Sequence, residues 1–205
     1  MAVKEGDTRS ARERILEAAC EAIAAEGIDD VRIARVAMRA GVSTALVHHY
    51  FSTREELLEQ ALVHSYGLAG EDRFGQTVDP SASATERLKV MIDECLPLPG
   101  MQQAEWTLWV ELWLRARRDE ALRSMAFRLY ERYREWMLEV INFGVERGEF
   151  VTDDPETSAD IALGLLDGLG VRALIGDPNM DLERVRLLAA SRIATELGLE
   201  TSALT

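Results

Sequence analysis

The segment Val31–Phe51 (VRIARVAMRAGVSTALVHHYF) constrains this chain more than any other stretch. It reads as two short helices around a tight turn. Gly41 is the turn residue, because glycine enters the left-handed region that ends a helix without a Cβ penalty. Ser43 is placed to cap the second helix, its hydroxyl accepting from an otherwise unpaired amide. Ala37 and Ala40 are small where two crossing helices must approach. Val36, Val42 and Val47 pin them together. Two helices in this spacing form a helix-turn-helix, whose second helix enters a DNA major groove.

The formal net charge of −13 looks wrong for such a role, but distribution matters more than the sum. Val31 to Arg54 contains no Asp or Glu and carries Arg32, Arg35, Arg39 and Arg54; Arg9, Arg12 and Arg14 form a second basic cluster. The acidic excess lies mostly beyond residue 65. Hydrophobic residues at 47% with only 5 Pro favour a folded, helical chain over disorder. No apolar run approaches the roughly 20 residues of a membrane span, and the N-terminus lacks a signal-peptide pattern. Cys20 and Cys95 fit no metal or redox spacing. These features predict a cytoplasmic location.

Helical patterning continues along the chain, with no convincing strand, so an all-α fold of about nine helices is expected. The first helix is predicted from about Thr8 to Glu26, with Ile15, Ala18, Ala19, Ala22 and Ile23 on one face. Thr53 with Glu56 forms a capping box for a fourth helix from Glu55 to about Gly70. A loop over Arg73–Ser83 follows, then helices over Thr85–Leu96, Gln102–Arg118, Asp119–Gly148, Pro155–Gly176 and Leu182–Leu197. The predicted division is a head at 1–54 and a larger helical body at 55–205.

An N-terminal helix, this helix-turn-helix and a helical body resemble the TetR family of bacterial transcriptional regulators. The carrying residues are Ala40-Gly41-Val42-Ser43, Tyr50-Phe51 and Ser52-Thr53-Arg54-Glu55-Glu56-Leu57-Leu58. Trp106–Phe150, with Leu166-Asp167-Gly168-Leu169, is similar to the C-terminal domain of BetI-like members. The head departs from the family pattern at Arg32, where Thr or Ser is common, at His48, where Tyr is common, and at Arg54, where Lys is usual. Each keeps a hydrogen-bond donor.

Thr44, Ala45 and His49 are the expected base-edge residues, since Thr and Ala can touch a thymine methyl and a hydroxyl can bond several bases. Ser43, His48, Tyr50 and Arg54, with Arg32 and Arg35, are expected at phosphates, where contacts set register. Adjacent His48 and His49 point to different faces with no further ligand beside them, so no metal is expected. No cofactor is expected.

In the body, Trp106, Trp109 and Trp113 recur at helical spacing, as do Phe127, Tyr130 and Tyr133. Large aromatics with Glu94, Glu105 and Glu111 close in sequence suit a small-molecule pocket for a cationic or aromatic effector. Cys95 precedes the Trp helix and joins the expected effector set (Cys95, Trp106, Trp109, Trp113, Phe127, Tyr130); a redox-sensing role is the alternative. The helix Pro155–Gly176 is apolar on more than one face and carries Gly164, Gly168 and Gly170. Ile161, Leu165, Gly168, Leu169, Arg172 and Leu187 are therefore the expected homodimer face, matching the paired last helices that the resemblance implies.

Two heads would then read a palindromic double-stranded operator. The resulting expectation is a regulator, a repressor released by its effector, with no membrane partner. An activator or ligand-independent regulator is the alternative within that class. An enzyme finds no support in a phosphate loop, a nucleophile triad or a metal cluster. A non-specific architectural DNA binder would have no use for the aromatic set.

Overall fold

The computed structural model describes residues 10–69 and 81–204, so Arg9 and most of the predicted loop at Arg73–Ser83 lie outside the described residues. All regular structure among the described residues is helical: α1 (Ala11–Glu26), α2 (Ile33–Ala40), α3 (Thr44–Tyr50), α4 (Arg54–Ala69), α5 (Ala84–Glu94), α6 (Met101–Ala116), α7 (Glu120–Glu146), α8 (Pro155–Leu174) and α9 (Leu182–Glu196). This is the expected all-α architecture. No helix of the described residues is long and apolar enough to cross a membrane.

The chain divides into two compact units, Met1–Gly67 and Leu68–Thr205. In the first, α1 starts at Ala11 with Ser10 as its cap, and the expected start at Thr8 lies outside the described residues. The Ser10 hydroxyl accepts from Glu13 N at 3.2 Å, and Ser10 N donates to the Glu13 carboxylate at 2.7 Å. Ile15, Leu16 and Ile23 of α1 are buried with Val36 and Ala37 of α2, Val47 of α3 and Phe51. Leu57, Leu58, Ala61 and Leu62 of α4 are buried too, and Cys20 Sγ donates to Ala61 O at 3.1 Å. These apolar positions carry the compact unit past the 54/55 division expected from the turn.

Gly41 ends α2 in the left-handed region (φ 66°, ψ 35°), and Val42 N donates to Ala37 O at 3.0 Å. A Cβ at Gly41 would meet nothing within 4 Å. The cost of a side chain there is therefore backbone strain alone, so Gly41→Ala is expected to lower the stability of the head by roughly 1–2 kcal/mol. Thermal denaturation checks this; an unchanged melting temperature would contradict it.

In the second unit, the Arg117–Asp119 turn folds α6 back against α7, α8 packs on α7, and α9 packs on both α8 and α5. The short Ser83–Glu86 capping box starts α5. Leu88, Met91, Ile92, Leu96, Met137, Ile141, Leu166 and Ile193 are among the residues of the core between these helices. Phe150 closes it, its ring lying so near Gly144 that a Cβ there would come within 2.1 Å.

Candidate functional site

Two surfaces gather the candidate functional groups. The first is α3. Ser43 caps it, accepting from Leu46 N at 3.2 Å. Val47 is turned inward and fully buried, which leaves Thr44, Ala45, His48, His49 and Tyr50 exposed on the outer face. His49 and Tyr50 stack edge to face at 5.3 Å. The outer face thus offers a hydroxyl, a methyl, two imidazoles and a phenol, groups able to bond base edges and phosphates.

The arginines are arranged differently from the sequence expectation. Arg54, expected at a phosphate, is turned into the α1–α2 loop. Its Nε donates to Val31 O at 2.9 Å, and its Nη2 donates to the carbonyls of Ile28 and Asp29. It clamps carbonyl groups that no helix satisfies. Arg54→Ala is accordingly expected to cost about 1–2 kcal/mol of stability, as charge-assisted bonds do. Comparing the melting curve with the salt dependence of DNA binding checks this; a flattened salt slope with unchanged stability would contradict it. Arg35 and Arg39 both reach Glu26, at 2.5 Å and 2.9 Å. Arg32 donates to Asp29 O at 2.9 Å. Arg12 bonds Gln60 and lies 5.7 Å over the Phe51 ring.

The second surface is a pocket inside the body, with about 520 Å³ of empty space including its open mouth. It is lined by Glu94, Cys95, Glu105, Trp106, Trp109, Trp113, Tyr130, Tyr133, Leu163, Leu166 and Asp167. Helix α6 aims the three indoles inward at its i, i+3 and i+7 positions. Trp109 meets Trp113 at 5.8 Å, Tyr130 at 6.3 Å and Tyr133 at 5.6 Å between ring centroids. Trp106 meets Trp113 edge to face at 6.3 Å. The rings stand tilted or perpendicular to one another, so their faces are not all covered by stacking.

Three carboxylates share this wall, and none of its residues is Lys, Arg or His. Burial pushes the Asp167 carboxyl up from 3.8 to about 7. Burial, with the Asp167 and Glu94 charges beside it, pushes the Cys95 thiol far above its ordinary value. Cys95 is thus a poor source of thiolate, and its place is that of a wall atom rather than a redox group.

Five of the six expected effector residues line the pocket. Phe127 does not: it is 65% exposed and absent from the wall that Tyr130 joins. Glu111 is also absent from the wall and approaches Arg115 at 3.9 Å. Tyr133 was in the aromatic series but not in the expected set. Asp167, Leu163 and Leu166 were not anticipated as lining; the available signal was a carboxylate inside the apolar run Leu165-Leu166-Asp167-Gly168-Leu169.

The expected dimer residues also separate. Ile161, Gly164, Leu165 and Gly168 form a stripe along α8; Ile161 is 47% exposed, and a Cβ at either glycine would meet nothing within 4 Å. Leu187 on α9 is exposed as well. Leu169 instead belongs to the chain's own core, and Gly170 faces Trp106. Arg172 grips Asp177, with its Nη2 at 2.6 Å and its Nε at 2.8 Å.

Residues 15–61 match the family described as bacterial regulatory proteins, tetR family, and residues 84–198 match the BetI-type transcriptional repressor C-terminal family. The HTH-type transcriptional regulator BetI 1 of Chromohalobacter salexigens is 26% identical over 194 residues, covering 93% of this chain and 92% of that one. A transcriptional regulator from Saccharomonospora viridis, solved in complex with choline, is similar with a TM-score of 0.80 and 31% identity, covering 87% of this chain and 93% of that one. A TetR transcription regulator from Haloarcula marismortui aligns with a TM-score of 0.77 and 26% identity, over 92% of this chain and 96% of that one.

Proposed function

Because the chain belongs to the TetR family of bacterial transcriptional regulators and carries a BetI-type C-terminal domain, we propose that it is a homodimeric repressor, released from a palindromic operator by a small organic cation. The observation that carries the effector class is the pocket wall: five aromatic rings and three carboxylates, with no cationic side chain among them. A cation within about 6 Å of an aromatic face is attracted by the ring quadrupole, more strongly where water is excluded. The choline held by the similar Saccharomonospora viridis regulator supports the same ligand class.

In this reading α3 enters the major groove. Thr44, Ala45 and His49 address bases, while Ser43, His48 and Tyr50 address phosphates. The open stripe of α8, with Leu187 of α9, is the surface that pairs with a second copy. Pairing sets the distance between the two heads. The cation acts by binding one head spacing more tightly than another, and only that difference in affinity can drive release. The site of action is DNA in the cytoplasm.

Gel-shift titrations with duplex fragments flanking the gene provide the test. One fragment is expected to bind tightly and to be released by choline or another quaternary ammonium compound. If no fragment is preferred at modest ionic strength, the DNA reading fails. If cation-saturated protein holds its fragment with unchanged affinity, the effector reading fails.

A further inference from the structure

We propose that Asp167, which lines the same cavity as the aromatic faces, is the residue with which the pocket tells a permanent cation from a neutral molecule of the same shape. This inference rests on the reading of the aromatic pocket as the effector site.

Asp167 lies on α8 beside Leu166 and one turn beyond Leu163, both of which line the same cavity. It makes no hydrogen bond or ion pair among the described residues, and a bare carboxylate in such a setting is costly. Burial holds its carboxyl near 7, so the free pocket at neutral pH carries about half a proton on this group. The titratable groups facing it are Glu94 and Cys95 at the end of α5, Glu105 on α6, and Tyr130 and Tyr133 on α7; α9 contributes none to the wall. Burial is what disfavours the charge on Asp167, and no basic side chain on the wall relieves it.

A bound cation supplies the missing charge. The O–H bond of the carboxylic acid breaks, the proton passes to solvent, and the ligand's positive charge replaces it, so the net charge of the pocket is conserved. A neutral ligand of equal shape offers no such compensation and leaves the proton in place. Aromatic faces and apolar walls alone would admit both. The carboxylate is what makes charge a requirement.

Calorimetry on the full-length protein tests this with choline chloride and its carbon isostere 3,3-dimethylbutan-1-ol, from pH 5.5 to 8 in buffers of different ionisation enthalpy. Choline affinity is expected to rise about 30-fold across this range, as for a site that binds only the ionised form of a group with a pKa near 7. About half a proton should be released per choline at pH 7, and affinity for the isostere should be flat. In Asp167→Asn, choline should lose both its pH dependence and its advantage over the isostere, whereas Glu111→Gln, off the pocket wall, should keep both. A choline affinity independent of pH, or an Asp167→Asn protein that retains the wild-type preference, overturns the inference and leaves the pocket reading standing. If neither choline nor tetramethylammonium binds at any pH, the pocket reading falls and the inference with it. Proton release in the unmodified protein needs no variant, so a failure of Asp167→Asn to fold would not protect the proposal.

Discussion

Replacing Asp167 with asparagine is expected to stabilise the protein at pH 8 by up to about 4 kcal/mol and to leave it unchanged at pH 4. The ceiling follows from a carboxyl raised by burial from 3.8 to about 7, at about 1.4 kcal/mol per unit. The direction follows from proton binding. Between about pH 4 and 7 the folded chain keeps the proton that the unfolded chain has lost, so stability falls as pH rises through that window. Asparagine does not titrate and escapes the fall. Water at the pocket mouth screens part of the charge, which places the observed gain below the ceiling. Urea unfolding at pH 4, 6 and 8 provides the check; a difference between the two proteins that does not grow with pH would contradict it. The same substitution removes the proposed cation partner, so stability and response are expected to move in opposite directions, as at many functional sites.

Gly170→Ala is expected to destabilise the protein by about 1–3 kcal/mol and to weaken choline binding more than tenfold. A Cβ at Gly170 would lie 2.3 Å from Cη2 and 2.5 Å from Cζ2 of Trp106, an indole that is almost fully buried and lines the pocket. The ring has to yield, and the cavity is the empty space beside it. Gly144→Ala is the matched comparison, because its Cβ would meet the buried Phe150 ring at 2.1 Å, away from the pocket wall. It should cost stability similarly and leave the choline affinity of the folded protein intact. Denaturation paired with calorimetry separates the two; a Gly170→Ala protein that binds choline like the wild type would show that Trp106 relaxes elsewhere.

The head was legible because its signals are local. Gly41 in the left-handed region, Ser43 as a cap, and Thr53 accepting from Glu56 N at 3.0 Å all act within a few residues. The place of Arg54 was not legible, since the carbonyls it clamps lie 23 to 26 residues earlier and a sequence does not show where a loop folds back. Glu26 likewise meets Arg35 and Arg39 only once α1 and α2 have packed.

In the body, the Trp106–Trp109–Trp113 stripe was readable from helical period alone. Which face of α7 turns inward was not. Its buried positions include Met125, Ala126, Met137, Val140 and Ile141, Tyr130 and Tyr133 reach the pocket wall, and Phe127 belongs to neither set. Aromatic identity pointed to Phe127; packing chose its neighbours. Asp167 and Gly170 were in view as residues, but their meaning depends on what α6 brings against them.

Helix α8 shows the pocket Leu163, Leu166 and Asp167 on one side and offers Ile161, Gly164, Leu165 and Gly168 on another. In the proposed reading, sensing and pairing are thereby separated by no more than the thickness of a single rod, about 10 Å. On that reading, a small roll or slide of the rod would reach both surfaces at once. Mutations that decouple ligand from DNA should therefore concentrate along this one helix and not trace a path across the fold.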